Sequence, residues 1–169
     1  MTLVRRIDEY DARSLLALQT ALDAESELML LEPGERETVP DALAGRLAAI
    51  DRGDDPSYIF VADGDEELAG YVDVSVLPFA RARLTGYVVV GVRAAYGGRG
   101  IGRALLEAAR DEAVRRGMRR LELTVMTHNI RALNLYLSMG FEVEGLRRDA
   151  LRVGGRLWPE YYMGLLLLS

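Results

Sequence analysis

The spacing of apolar residues alternates between helical and strand-like periods along the chain, which predicts a mixed α/β fold. Leu15, Leu16, Leu18 and Leu22 recur at helical spacing in the first long segment. Helices are expected at residues 11–23, at 41–50, from the glycine-rich 97–102 segment to about 116, and at 129–139. Strands rich in Val, Ile and Tyr are expected at residues 3–7, 57–62, 67–77, 84–93, 119–126, 141–153 and 156–168.

Turn signals between these segments indicate how the strands connect. The strands at 57–62, 67–77 and 84–93 form an antiparallel meander, and Gly154-Gly155 predicts a terminal hairpin. The strand, helix and strand that follow imply a parallel pair, whereas Pro33-Gly34 breaks residues 25–40 into an irregular loop. We therefore expect a single α/β domain over residues 1–169, with a mixed, mostly antiparallel sheet of six to seven strands flanked by about four helices.

The composition fits one compact soluble domain and removes several classes of chemistry. The chain has 169 residues, of which 50% are apolar and 28% charged, and a domain of this size buries about 70% of its unfolded surface. Without cysteine it has neither a disulfide nor a thiol nucleophile. All 21 basic residues are arginine, which excludes a Schiff-base lysine. His128 is the only histidine and has no ligands near it in sequence, so no metal site is expected.

Charge is distributed unevenly along the chain. The net charge is −5, but residues 1–73 hold 18 acids and 6 arginines, a sum of −12, whereas residues 74–169 hold 8 acids and 15 arginines, a sum of +7. The acidic half favours a cationic ligand and the basic half an anionic one, although two solvated surfaces would give the same counts. The arginines are scattered without an aromatic platform, so no nucleic-acid partner is expected.

Nothing near the start of the chain predicts export or a membrane anchor. The first ten residues lack the apolar core of a signal peptide. The longest apolar run, near residues 161–168, is less than half as long as a membrane span. A cytoplasmic protein without membrane contact is therefore expected.

The segment VVVGVRAAYGGRGIGRALL, residues 88–106, reads as a strand, a glycine-rich turn and a helix. Glycines let backbone N–H groups converge, and a helix N-terminus adds partial positive charge, so such a turn suits a phosphate. A tight connection without a ligand is the alternative. Four glycines within six residues are more than such a connection requires, which favours the phosphate.

Two common phosphate-binding motifs do not fit this turn. A P-loop would need lysine and Ser/Thr after Gly97 and Gly102, where Arg103 and Ala104 stand. A dinucleotide-binding G-x-G-x-x-G would put its third glycine at Arg103 or Leu105. The chain is therefore expected to be neither a P-loop nucleotide hydrolase nor a dinucleotide-binding protein of that type.

The remaining pattern resembles a known family in two places. The run from Gly98 to Gly102 is similar to the coenzyme A pyrophosphate loop, Gln/Arg-x-x-Gly-x-Gly/Ala, of the Gcn5-related N-acetyltransferase (GNAT) superfamily. Gly97 departs from this family pattern, because the family usually has Gln or Arg at that position. A side-chain contact with the cofactor is therefore lost there. The family's second motif, Asn-x-x-Ala-x-x-x-Tyr-x-x-x-Gly-Phe, is matched by Asn129, Ala132, Tyr136, Gly140 and Phe141.

The resemblance implies a GNAT-like fold and acetyl-CoA as cofactor. The residues it assigns to the cofactor are Val90, Gly91, Val92, Gly97, Gly98, Arg99, Gly100, Ile101, Gly102, Arg103, Asn129, Ala132 and Tyr136. The backbone from Val90 to Val92 would pair with the pantetheine amides, and Tyr136 would be the general acid for the leaving thiolate. A phenol with a pKa of about 10 is protonated at neutral pH, as that role requires. A helix cap for Asn129 and a half-buried aromatic for Tyr136 are the structural alternatives.

The catalytic base and the acceptor are less clearly indicated. Glu122 points away from its leucine neighbours on a strand and is the candidate base, with a salt-bridged strand residue as an equal alternative. Glu27 and Glu32 are rival carboxylates, since the matching region of the family often lines the acceptor pocket, and with Met29 they are the residues predicted to bind the acceptor. Met29 suits an acceptor with an apolar side chain, or ordinary packing. His128 could titrate near neutral pH, but a structural role is expected. The acidic half favours a primary amine: an amino acid, a protein N-terminus, a polyamine or an aminoglycoside.

The terminal part of the chain resembles the GNAT branch of ribosomal-protein N-terminal, polyamine and small amino-acid acetyltransferases. The expected function is transfer of the acetyl group of acetyl-CoA to a primary amine by direct attack in a ternary complex. A non-catalytic acyl-CoA-binding module is the alternative. The terminal strand is apolar on both faces, so it must be covered by the domain itself or by a partner. The resemblance also implies a homodimer, as in many relatives.

Overall fold

The computed structural model describes residues 2–168, which form one twisted sheet with helices on both faces. The strands are β1 (Val4–Arg6), β2 (Tyr58–Asp63), β3 (Leu68–Ser75), β4 (Thr85–Val92), β5 (Arg120–Met126), β6 (Glu142–Val153) and β7 (Arg156–Leu166). The helices are α1 (Ala12–Glu25), α2 (Asp41–Arg52), α3 (Ile101–Arg115) and α4 (Ile130–Ser138), with short 3₁₀ turns at Glu9–Asp11 and Ala94–Tyr96. The predicted elements are all present, with ends displaced by a few residues.

The seven strands lie in the order β1-β2-β3-β4-β5-β7-β6. The meander from β2 to β4 and the β6–β7 hairpin are antiparallel, and β4 and β5 are the expected parallel pair. Strand β7 lies between β5 and β6, so the domain's own strands cover both edges of this apolar segment. This confirms the mixed, mostly antiparallel sheet and shows how the terminal strand is covered.

Strands β4 and β5 are paired over only part of their length. The pairing runs from Thr85 opposite Arg120 to Tyr87 opposite Glu122, and β4 then continues to Val92 without β5 beside it. The edge of β4 that faces β5 is therefore free of a strand partner beyond Tyr87. An opening between two parallel strands results, in the middle of the sheet.

Two apolar cores pack on the two sides of the sheet. Helices α3 and α4 cover what we call the α3 face, where Leu105, Val72, Leu121 and Met163 are fully buried. Helices α1 and α2 cover part of the opposite α1 face, against Ile59 and other residues of β2 and β3. Because side chains alternate along a strand, β4 and β5 present Tyr87, Val89, Glu122 and Thr124 on the α1 face.

Residues 26–40, between α1 and α2, contain no helix or strand, as the sequence predicts. Arg36 anchors this loop: its Nε and Nη2 donate to Asp23 at 2.6 and 3.0 Å, and its Nη1 donates to Gln19 at 3.3 Å. Asp23 is 3% exposed, so this ion pair is largely shielded from solvent. The loop is therefore held against α1 although it lacks regular structure. In the part of the chain described here, no helix has the length and apolarity needed to cross a membrane.

Candidate active site

The glycine turn leads directly into the N-terminus of α3. Gly98 and Gly100 adopt φ angles of +74° and +77°, which side chains other than glycine rarely tolerate, and the space beside both is open. Gly100 is the N-cap residue of α3, and no capping side chain accepts a hydrogen bond from the first backbone N–H groups of the helix. The turn therefore presents exposed backbone donors at the positive end of a helix, an arrangement suited to a phosphate.

Gly97 has an ordinary backbone conformation, but the space beside it is taken by an arginine from α4. A Cβ at residue 97 would lie 3.3 Å from both terminal nitrogens of Arg131. Among residues 2–168, none of the ion pairs involves Arg131. The Arg131 guanidinium thus lies beside Gly97, the position at which the resemblance implies that a side-chain contact with the cofactor is lost.

Two further arginines of the turn have different surroundings. Arg103 donates to Ser138 Oγ at 2.5 Å and so connects α3 to α4. The Arg99 guanidinium lies 5.3 Å from the Tyr96 ring centroid. Arg99, Gly100 and Ile101 line a surface cavity of about 300 Å³ that reaches β1.

Tyr136 projects from α4 into the α3-face core and is 8% exposed. Burial raises the pKa of its phenol well above the ordinary value of 10, and the nearby phenol of Tyr87 raises it further. Tyr87 itself shares a hydrogen bond of 2.8 Å with Thr124 across the point where β4 and β5 separate. The Tyr136 phenol is thus near enough to Tyr87, at the closed end of the opening, for the two groups to interact electrostatically, although they come from opposite faces of the sheet.

Asn129 caps α4, since its side-chain oxygen accepts from the Ala132 N–H at 3.3 Å. This is the structural alternative considered for Asn129, and it leaves the amide N–H₂ group available. Ala132 is partly buried against the α3-face core. His128, in the preceding loop, stacks on Trp158 with ring centroids 4.0 Å apart, in agreement with the structural role expected for it.

Glu122 occupies the expected strand position, on the opposite face from Leu121 and Leu123, which are buried with α3. Its carboxylate accepts from Arg120 Nε at 2.7 Å. The same guanidinium donates to both oxygens of Glu144 on β6, at 2.8 and 2.6 Å. Glu122 is therefore part of a shared ion-pair cluster, which matches the salt-bridged alternative.

Of the three residues predicted to contact the acceptor, Met29 reaches the sheet. Its Cε lies 3.7 Å from the position of a Cβ at Gly91, near the end of β4. Glu27 and Glu32 are exposed on the loop, where they contribute negative charge. Glu25 accepts from the Ala94 N–H at 2.9 Å and so fixes the end of α1 to the turn after β4. The loop consequently flanks the α1 face beside the unpaired part of β4.

The geometry fits a phosphate-bearing cofactor with a thin arm. Open glycine N–H groups stand at the start of α3, an unpaired strand edge follows from β4, and a protonated phenol lies beside the opening. In the described residues, no group of three or more His, Cys, Asp or Glu is placed to hold a metal ion.

Comparison with protein families identifies this arrangement. The model of the acetyltransferase (GNAT) family matches residues 20–141, which include β4, the glycine turn, α3, β5 and α4. The chain belongs to the GNAT family. The matched residues include both sequence motifs, and acetyl-CoA is the cofactor that the acetyltransferases of this family use.

Individual GNAT relatives agree with this assignment. The chain is 48% identical over 92 residues to the N-alpha-acetyltransferase RimI of Mycobacterium tuberculosis (strain ATCC 25618 / H37Rv), and the match covers 52% of this chain and 54% of that protein. The chain therefore spans about half the length of this curated relative in the match.

Solved GNAT structures resemble the chain over its whole length. A GNAT-family acetyltransferase from Streptococcus pneumoniae has a TM-score of 0.93 at 27% identity, covering 99% of this chain and 100% of that one. A ribosomal-protein-alanine N-acetyltransferase from Brucella melitensis has a TM-score of 0.83 at 25% identity, covering 98% and 99%. The yncA structure from Salmonella typhimurium, described with its cofactor acetyl-CoA, has a TM-score of 0.86 at 22% identity, covering 100% and 95%, and supports the fold.

Several residues near this GNAT site are absent from the sequence-based prediction. Tyr87 and Thr124 meet only because β4 and β5 are parallel neighbours, and Arg131 reaches Gly97 from another helix. Only the alternation of β4 and β5 could have placed Tyr87 and Thr124 on Glu122's face. No sequence pattern indicated Arg131, since its position beside Gly97 depends on how α4 packs against the turn.

Proposed function

We propose that this chain is an N-acetyltransferase that moves the acetyl group of acetyl-CoA to a primary amine by direct attack in a ternary complex. The observation that carries the proposal is the opening between β4 and β5, which begins at Tyr87, ends at the glycine turn and has the buried phenol of Tyr136 beside it. Family membership and the likeness to RimI support the same reaction.

When bound, acetyl-CoA supplies an activated thioester; the chain supplies the groups around it. The N–H groups at Gly98 to Gly102 hold the pyrophosphate, with Arg131 as a neighbouring positive charge. The backbone of Val90 to Val92 offers its free edge to the pantetheine amides. Tyr136 keeps a proton on its Oη at neutral pH, because burial raises its pKa, and is the proton donor to the leaving sulfur.

The acceptor is proposed to approach from the α1 face, between the 26–40 loop and the β6–β7 hairpin. Met29 lies over the end of β4, and Glu27 and Glu32 make the adjacent loop acidic. Glu122 remains the proposed base, acting through water from its ion pair with Arg120. A peptide N-terminus is the first acceptor to test, because the Brucella relative is named as a ribosomal-protein-alanine N-acetyltransferase.

Thiol release from acetyl-CoA tests the proposal directly, since a chain without cysteine contributes no thiol background. Peptides with a free N-terminal alanine, free amino acids, polyamines and aminoglycosides form the acceptor panel. We expect release that depends on the acceptor, with the acetylated product confirmed by mass spectrometry. Binding of acetyl-CoA without release for any acceptor would instead support a non-catalytic acyl-CoA-binding module.

The cellular location and assembly of the chain belong to the same proposal. A cytoplasmic location is compatible with acetyl-CoA as cofactor, and a homodimer is carried from the family resemblance. Sedimentation equilibrium of the chain at micromolar concentration distinguishes a monomer of 18.7 kDa from a dimer. Cell fractionation tests the location.

A further inference from the structure

A buried carboxylate lies at the end of β5 and is not used by the cofactor site. Glu160 on β7 is 7% exposed and stands opposite Met126, the last residue of β5. Because directly opposed residues share a face and side chains alternate, Glu160 and Tyr162 lie on the α1 face with Glu122 and Thr124. Glu160 is therefore separated from the opening by β5 alone, and it lies on the face proposed for the acceptor.

Glu160 and Tyr162 together form a position for a cation, which Arg147 of β6 fills. Arg147 Nη1 donates to Glu160 Oε1 at 2.7 Å, and its guanidinium carbon lies 5.3 Å from the Tyr162 ring centroid. A carboxylate beside an aromatic face is a favourable setting for ammonium as well as guanidinium groups. In the described part of the chain, Arg147 is the only ion-pair partner of Glu160.

Arg147 is placed so that it can leave this position. Its side chain is 42% exposed, against 9% for Glu160. The pairing of β6 with β7 is interrupted between Arg147 and Leu151, and Asp149 within the interruption has a φ of 49°. A solvent-accessible arginine at an irregular part of an edge strand can swing outward without breaking the rest of the sheet.

The ion-pair cluster around Glu122 is different in this respect. Arg120 is held by three hydrogen bonds, one to Glu122 and two to Glu144, and a ligand would have to break all of them. Arg147 has a single hydrogen bond to Glu160. An incoming cation therefore exchanges more readily with Arg147 than with Arg120.

We propose that Glu160 binds the protonated amine of the acceptor on arrival, which displaces the Arg147 guanidinium and lies against the Tyr162 ring. The amine attacks the thioester only after its proton has passed through water to Glu122, the proposed base. The inference rests on the proposed acetyltransferase function and names the recognised group as a primary ammonium. It assigns acceptor binding to β7, a strand in which the sequence predicts no site residue.

Titration calorimetry of the coenzyme A-saturated protein tests this binding apart from turnover. The probes are a short peptide with a free N-terminal alanine, the same peptide acetylated at its N-terminus, and spermidine. We expect Glu160→Gln to weaken binding of the free peptide or of spermidine at least tenfold and to leave the Kd for coenzyme A within twofold. Arg147→Gln removes the internal competitor and is expected to tighten binding at least twofold.

Glu66→Gln is the matched control, because it makes the same charge change at an exposed position of the β2–β3 turn. Binding to Glu160→Gln within twofold of wild type, equal binding of the acetylated peptide, or no binding of either amine to the wild type would overturn the inference. Thiol release by the wild type is measured separately. If the wild type acetylates an acceptor and Glu160→Gln binds the amine as tightly as the wild type does, the ammonium site alone is refuted. If the wild type binds amines but releases no thiol with any of them, the proposed function alone is refuted.

Discussion

At the residue scale, Tyr136 illustrates how packing prepares a side chain for chemistry. The ring is surrounded by core residues and contacts Phe141 with centroids 5.8 Å apart. Removal from water disfavours the phenolate, so the pKa of Tyr136 is raised above the ordinary value of 10. The same burial that contributes to the core thus keeps the proton on the phenol throughout the physiological pH range.

Replacing Tyr136 by Phe removes the proposed proton donor but retains the ring. We expect kcat to fall on the order of 100-fold, within the usual contribution of general acid catalysis. The Kd for acetyl-CoA should stay within about twofold, because no backbone donor of the glycine turn changes. Steady-state kinetics and calorimetry measure the two quantities on the same protein.

Tyr161→Phe is a suitable control, since it removes a hydroxyl from a partly buried tyrosine of the same core. An unchanged kcat in Tyr136→Phe would show that another group protonates the thiolate. A wild-type kcat that declined between about pH 8 and 9 through ionisation of Tyr136 would contradict the raised pKa.

At the element scale, the two ends of α3 differ in how their polar groups are bound. Its N-terminus leaves backbone donors uncapped at Gly100. At its other end Glu112 accepts from Arg115 Nη2 and Arg116 Nε, both at 2.6 Å. Arg116 also donates to the Pro56 carbonyl at 3.0 Å and lies 4.5 Å from the centroid of the Tyr58 ring. The C-terminal end is therefore anchored to the start of β2, and this holds the N-terminal end in place.

The anchor makes stability depend on pH. Hydrogen bonds from Arg115, followed by those from Arg116, lower the pKa of Glu112 from 4.5 to about 2. A carboxyl whose pKa is lower in the folded chain stabilises fully above its ordinary pKa and loses this contribution as the pH falls from about 4.5 towards 2. Because Arg115 is exposed and solvent screens the pair, Glu112→Gln should remove on the order of 1 kcal/mol at pH 7 and flatten the loss of stability on acidification.

Urea denaturation at several pH values between 7 and 3 measures this dependence. Asp111→Asn is the control, because Asp111 is the neighbouring exposed acid and pairs with Arg110 at the surface. Equal pH dependence in wild type and Glu112→Gln would mean that the ion pair is not maintained in solution. The lowered pKa of Glu112 would then not be a property of the folded chain.

At the scale of the whole molecule, the two halves of the chain contribute to different sides of the opening. The second half supplies the glycine turn, α4 and Arg131, and carries the excess of arginine. The first half supplies the acidic 26–40 loop over the end of β4. This arrangement agrees with an anionic cofactor on one side and a cationic acceptor on the other, which the uneven charge suggests.

Paired variants can separate these two sides. In the double variant Asp23→Asn, Arg36→Gln, the loop loses its charged anchor without leaving an unpaired buried charge. The KM for the acceptor should therefore rise at least fivefold, while the Kd for acetyl-CoA stays unchanged.

Arg131→Ala should instead affect the cofactor. Its binding of acetyl-CoA should weaken about tenfold, the effect of losing one charged contact, while the KM for the acceptor stays unchanged. Calorimetry and steady-state kinetics of both variants measure these effects.

Arg110→Ala controls for the loss of a positive charge, because Arg110 lies on α3 and, within residues 2–168, pairs only with its neighbour Asp111. If both variants changed acceptor and cofactor binding equally, the division between the two halves would be wrong. If Arg131→Ala bound acetyl-CoA as tightly as wild type, the guanidinium beside Gly97 would have no part in cofactor binding.

The sequence by itself determined the elements, the meander, the terminal hairpin and the glycine turn. These follow from local preferences: residue period, turn residues, and the need for glycine at Gly98 and Gly100, where φ is positive. Tyr136 was also within reach, because the resemblance to the second GNAT motif assigns it a role. Glu122 was placed on the correct face by alternation, but its ion pair with Arg120 and Glu144 could only be weighed as one of two alternatives.

Tertiary structure alone decided where β4 and β5 separate, and which residues meet there. The short parallel pairing ends at Tyr87, β7 inserts between β5 and β6, and Glu160 is thereby brought opposite Met126. Arg131 reaches Gly97 because α4 packs beside the turn. These contacts join residues far apart in the chain, so they depend on how complete elements pack together, and no local period or turn signal specifies that.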